Sequence, residues 1–107
     1  MIFVTVSTGP FDRLIKSVDM LAPSLNEEVV MQIGGTTYEP KNYRYFRLCS
    51  RKEIVDYYQK ADLIITHVGC GALAMALRLN KKCIAVPRYK KFDEFADDHQ
   101  LDLVSEL

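Results

Sequence analysis

Apolar residues along this chain fall into short continuous runs separated by segments where they recur every three or four positions, and that alternation predicts strands and helices in turn. Residues 2–6, β-branched and aromatic, predict a buried strand. After the turn Ser7-Thr8-Gly9-Pro10, the residues Phe11, Leu14, Ile15, Val18 and Leu21 recur at helical spacing up to Pro23. Residues 29–33 predict a second strand closed by Gly34-Gly35, the polar stretch 36–42 a loop, and residues 45–49 a short third strand. Ser50 followed three positions later by Glu53 has the form of a capping box, and Ile54, Val55 and Tyr58 give the helix behind it an inner face as far as Lys60. Residues 62–67 predict a fourth strand, which meets Gly69-Cys70-Gly71 ahead of a helix bearing Leu73, Leu77 and Leu79. A last short strand, 84–86, ends at Pro87, and the basic loop Arg88-Tyr89-Lys90-Lys91 leads through an acidic stretch to a final helix from about Asp97.

Apolar strands alternating with helices imply an α/β fold, a Rossmann-like parallel sheet with helices on both faces. Such sheets take ligands beyond the carboxyl ends of their strands. With 107 residues the chain suits one domain, since domains usually run from about 50 to 250 residues. Hydrophobic residues at 49% and charged residues at 26% place it with globular proteins rather than disordered ones. Fourteen basic residues balance fourteen acidic ones, so no overall charge draws the chain to nucleic acid. Cys49, Cys70 and Cys83 are odd in number and scattered, which argues for reduced thiols and a cytoplasmic setting. The apolar N-terminus is short and has no basic leader, so it reads as a strand and not as a signal peptide or a membrane span.

Two strand-to-helix turns carry the candidate chemistry: Ser7-Thr8-Gly9-Pro10, and His67-Val68-Gly69-Cys70-Gly71. Both open at the same edge of a parallel sheet, where glycines admit a ligand close to the backbone and helix-start amides suit a phosphate or diphosphate. Tight packing of helix on strand also asks for small residues, so a purely structural turn stands beside the phosphate reading. His67 at a strand end contacts a ligand, contacts a partner or satisfies a backbone group. The Arg88, Lys90, Lys91 cluster neutralises a diphosphate, touches anionic lipid or forms a solvated loop. Cys70 between two glycines is either a thiol of lowered pKa or a small buried side chain. Tyr43, Tyr45 and Phe46 suit a partner surface or an edge strand equally. No metal-ligand spacing and no Ser-His-Asp arrangement is present, so no metal and no cofactor are expected.

The segments Phe3-Val4-Thr5-Val6, Pro10-Phe11-Asp12-Arg13-Leu14-Ile15, Gln32-Ile33-Gly34, Tyr38-Glu39-Pro40, Ser50-Arg51-Lys52-Glu53, Ala61-Asp62-Leu63-Ile64-Ile65-Thr66-His67, Val86-Pro87-Arg88 and Asp97-Asp98-His99-Gln100-Leu101 follow one another in a familiar order. In that order the chain resembles the C-terminal domain of family 28 glycosyltransferases, in particular the small donor-binding subunits of split sugar transferases of oligosaccharide and exopolysaccharide synthesis. The resemblance spans residues 1–107 and implies the C-terminal half of a GT-B fold holding a UDP-sugar, with N-acetylglucosamine or another hexose as the sugar. It implies a membrane-associated partner subunit that binds a lipid-linked acceptor, so that this chain lies at the membrane only through its partner. Carried over by position, Thr8 lies where the first turn approaches the diphosphate, His67, Gly69 and Gly71 form the second turn and helix start, and Gln100 with His99 meets the donor sugar. No residue stands out as a general base, which the resemblance leaves to the partner.

The chain departs from the family pattern at telling places. Ala72 stands where a hydroxyl residue is common, and Met75 where an acid commonly holds the ribose. Losing a hydrogen bond to a charged group costs about 1.5 to 3 kcal/mol, so the same resemblance also fits a degenerate interaction module that has lost its donor. The first turn reads Ser7-Thr8-Gly9-Pro10 in place of Gly-Thr-His-Pro, and Asn80-Lys81-Lys82 replaces Gly-Lys-Pro. The family usually continues through a further strand and helix past the position of Leu107, so a truncated or shortened domain is expected.

Overall fold

Strand β1 (Ile2–Thr5) is buried along its whole length and lies at the centre of a five-stranded parallel sheet of order β3-β2-β1-β4-β5. The computed structural model describes residues 1–6, 9–21, 24 and 26–87. The remaining elements are α1 (Asp12–Met20), β2 (Val29–Gln32), β3 (Arg44–Phe46), α2 (Arg51–Lys60), β4 (Leu63–His67), α3 (Cys70–Arg78) and β5 (Lys82–Val86). Every strand pairing is parallel, and Thr5 stands level with Gln32 on one side and Thr66 on the other.

Alternation along β1 sorts its side chains between two cores. Ile2 and Val4 pack with Val29, Met31 and Ile33 under Phe11, Leu14, Ile15 and Val18 of the α1 region. Phe3 faces the other way, with Val30 and Ile64, against Tyr58 and Ala61 of the α2 segment and Ala76 of α3. Its ring stacks on Tyr57 at 5.0 Å between centroids and meets Tyr58 edge-on at 5.7 Å. Helices thus cover both faces, as the strand pattern implied.

The capping box at Ser50 is formed in both directions, its hydroxyl accepting from the Glu53 amide at 3.2 Å and its own amide donating to the Glu53 carboxylate at 3.4 Å. Three expectations shift. The third strand is Arg44–Phe46, ending before Leu48 and Cys49, which turn into the cap of α2. The last strand is Lys82–Val86, starting ahead of the expected 84–86. Leu21 is exposed as the residue after α1, while its neighbour Asp19 is buried.

Asp19 shows how the 36–42 loop is held. Its carboxylate accepts from the Tyr38 hydroxyl at 2.5 Å and from the Lys41 and Asn42 amides at 3.0 and 2.9 Å. Asp12, one end of α1 away, accepts from the Thr37 and Tyr38 amides at 3.1 and 2.8 Å. Gly34 ahead of this loop adopts φ 53, a left-handed conformation that only glycine enters without strain.

Candidate functional site

The apolar strands β1 and β2 end on polar side chains, Thr5 and Gln32, and β4 ends on Thr66 and His67, so the carboxyl edge of the sheet is where polarity enters the core. All four are buried. The Thr5 hydroxyl donates to Gln32 Oε1 at 2.5 Å, and Gln32 Nε2 donates to the Arg47 carbonyl at 2.7 Å. Thr66 Oγ1 lies 3.3 Å from His67 Nδ1. Each of these four side chains therefore has a partner, as burial of such groups demands.

Above this edge opens a cavity of about 390 Å³, within the range of small-molecule sites. Thr5, Gln32 and His67 form its floor, Gly69, Gly71, Ala72 and Met75 of the α3 segment one side, and Leu48, Cys49, Ile54 and Tyr58 an apolar wall. Gly69 caps α3 in extended backbone (φ -152) and has no side-chain oxygen to cap it, and no acid occupies the first turn. The α3 start therefore lacks the side-chain cap that Ser50 gives α2, an arrangement that suits the anionic oxygens of a ligand. His67 is what requires glycine at position 69: a Cβ there would sit 2.5 Å from His67 Nε2. At Gly71 an added Cβ would meet nothing within 4 Å, so that position is open space beside the cavity.

Of the expected site residues, His67, Gly69 and Gly71 are brought together on this cavity. Thr8, His99 and Gln100 lie outside the described residues, as do the Arg88, Lys90, Lys91 cluster and the final helix; so does the Cys70 side chain. The start of α1 does reach the same edge, because Arg13 donates to the Pro87 carbonyl at 2.8 Å, just after β5. Two of the departures from the family pattern, Ala72 and Met75, line the cavity directly. Phe46 is drawn into the aromatic stack with Phe3 and Tyr57, whereas Tyr45 is exposed on the edge strand. Sequence reasoning missed Thr5, Gln32, Leu48, Cys49, Ile54 and Tyr58 as cavity residues. A usable signal existed for the first two, which are the polar residues closing otherwise apolar strands.

Among the described residues no cluster of His, Cys, Asp and Glu is suited to a metal ion, and no helix is long and apolar enough to cross a membrane. Burial, with the Glu53 charge, pushes the Cys49 thiol upward, and burial pushes the Tyr58 phenol up to about 12, so both side chains of this wall stay uncharged at neutral pH.

The family model described as "Glycosyltransferase family 28 C-terminal domain" matches residues 1–107. Two curated proteins, both named UDP-N-acetylglucosamine transferase subunit ALG13, are similar to this chain: the Homo sapiens protein at 31% identity over 99% of the chain, and the Mus musculus protein at 31% over 98%. The chain spans 10% of the length of each. Among solved structures, the glycosyltransferase SnogD from Streptomyces nogalater superposes with a TM-score of 0.58 at 23% identity, over 97% of this chain and 29% of that one, a likeness of fold.

Proposed function

The chain belongs to the glycosyltransferase family 28 C-terminal domain family, and from that premise we propose that it is the donor-binding subunit of a two-component glycosyltransferase. The donor is a UDP-sugar, UDP-N-acetylglucosamine in the first instance, a choice supported by the names of the two curated relatives. The acceptor is a lipid-linked saccharide held by a membrane-associated partner subunit, which keeps this chain at the cytoplasmic side of the membrane.

The observation that carries the reading is the cavity at the carboxyl edge of β1, β2 and β4, with a glycine-capped helix start on one side and an apolar wall on the other. A diphosphate against the α3 amides and a nucleoside against Leu48 and Ile54 use both sides. Catalysis by this chain then consists of positioning the donor and stabilising the charge that develops on the leaving diphosphate. The base that deprotonates the acceptor hydroxyl comes from the partner. UDP and UDP-N-acetylglucosamine are titrated calorimetrically into the chain alone and into its complex with the partner, with turnover followed in both. Binding and turnover that need the complex support the reading, and turnover by the chain alone overturns the division of labour.

A second reading has its own observation. Ala72 and Met75 face the cavity where a hydroxyl and a carboxylate are usual in the family, so two polar donor contacts are missing. A degenerate module that keeps the fold and the partner surface would bind no UDP in either titration.

A further inference from the structure

We propose that Gln32 is a positioning residue for the nucleotide cavity, an amide brace that fixes the separation between its floor and its apolar wall. The proposal takes from the donor-binding reading what fills the cavity, while the brace itself stands on the structure. Gln32 closes an otherwise apolar strand and is 3% exposed. A buried amide is strongly unfavourable unless its polar ends are bonded, so an apolar side chain is the simpler choice for this position. Both ends of this amide are bonded, and they reach different sides of the cavity. Oε1 accepts from the Thr5 hydroxyl, part of the floor, and Nε2 donates to the carbonyl of Arg47, the residue that leads directly into Leu48 and Cys49 of the wall.

The far end of the brace is itself anchored. Arg47 Nη1 donates to the carbonyls of Gly34 and Thr36 at 3.1 and 2.8 Å, and the Gly34 amide donates back to the Arg47 carbonyl at 3.1 Å. Leu48 and Cys49 follow β3 with no ladder of their own, so their placement depends on Arg47 being held. The two ends of an amide differ chemically: a carboxylate offers no donor to Arg47, an alkyl chain offers neither bond, and a thioether offers no donor and only a weak acceptor. A wall fixed in advance lowers the ordering cost when the nucleotide arrives.

The test compares the complete wild-type chain with Gln32→Met, close in length and without polar ends. Two readouts are taken: peptide-resolved labelling of Cys49 by an uncharged thiol reagent, and steady-state kinetics for UDP-N-acetylglucosamine in the complex with the partner. A freed wall labels at least about fivefold faster and raises the donor KM about tenfold, the scale of one lost hydrogen bond, with kcat within about twofold of wild type. A folded Gln32→Met chain in which either the labelling rate or KM stays within about twofold of wild type overturns the proposal. Should that variant not fold, Gln32→Glu, which keeps the acceptor toward Thr5 and loses the donor toward Arg47, is read by the same two assays against the same limits. If the wild-type complex shows no donor turnover, the donor reading fails by itself, and the labelling arm alone decides the brace.

Discussion

His67 Nε2 occupies the space where a Cβ on Gly69 would lie, 2.5 Å from its ideal position. The backbone at Gly69 is extended (φ -152), so any residue fits it conformationally and the demand for glycine comes from the imidazole alone. Gly69→Ala must therefore move the His67 ring, which is 8% exposed, at a cost of about 1 to 3 kcal/mol as for other overpacked sites. Gly71→Ala is the contrasting case. Its methyl meets nothing, and the gain in helix propensity leaves stability unchanged or raised by up to about 1 kcal/mol. Yet that methyl enters the cavity rim, so UDP affinity falls while the melting temperature does not. Thermal unfolding and UDP titration of both variants check the pair.

Ala72 and Met75 are the positions at which the proposed donor site can be strengthened. Ala72→Ser together with Met75→Glu puts a hydroxyl and a carboxylate on a cavity that has neither at those positions. Each new hydrogen bond to a charged or ribosyl group is worth about 1 to 2 kcal/mol, so UDP affinity in the complex rises at least about tenfold. Met75 also packs against the cluster around Phe3 and Tyr58, and losing that contact lowers stability by about 1 kcal/mol. Calorimetry on the two single variants and the double variant separates the binding gain from the packing loss.

The strands and helices were legible because continuous apolar runs and three-to-four spacing report burial directly, and the Ser50 capping box is a local motif whose partners are three residues apart. The site was legible where a turn announces itself, as at Gly69 and Gly71. Its apolar wall was not, because Leu48, Ile54 and Tyr58 look in sequence like any core residues, and the edge of the sheet alone decides that they face a cavity. Asp19 escaped for the opposite reason. A charged residue between Val18 and Met20 on an amphipathic helix reads as solvated, and its role depends on a loop about twenty residues away folding back onto it.

That Asp19 network makes acid stability a readout of the loop. Burial pulls the Asp19 pKa upward, but bonds from the Tyr38 hydroxyl and the Lys41 and Asn42 amides, with the Lys41 charge, outweigh it and hold the carboxyl below its ordinary 3.8. Asp12 behaves alike: burial raises its pKa and the Thr37 and Tyr38 amides outweigh that. A carboxyl depressed in the folded state supplies its full stability above the unfolded pKa and loses it as pH falls through the lower folded value. Chemical denaturation should therefore show stability nearly level above the ordinary value of 3.8 as far as these two groups go, and falling below it. Asp19→Asn, whose amide nitrogen meets donors, costs about 1 to 3 kcal/mol near neutrality and flattens the acid limb.

Cys49 gives a chemical view of the cavity wall. Burial first, and then the charge of Glu53, raise its thiol above the ordinary 9.0, so at neutral pH the thiolate is scarce and alkylation is slow. The labelling rate should climb with pH through and beyond 9.0, and UDP should slow it, since Cys49 lines the cavity. Cys83 serves as the control within the same chain: it is exposed on β5 and lies outside the cavity lining, so UDP should leave its labelling alone. Glu53→Gln isolates the electrostatic part, because glutamine at the third helical position can still close the capping box with Ser50 while carrying no charge. That variant should keep its stability within about 1 kcal/mol and label Cys49 faster at pH 8. A labelling rate unchanged by both UDP and Glu53→Gln would mean that the Cys49 thiol faces something other than the cavity and the start of α2.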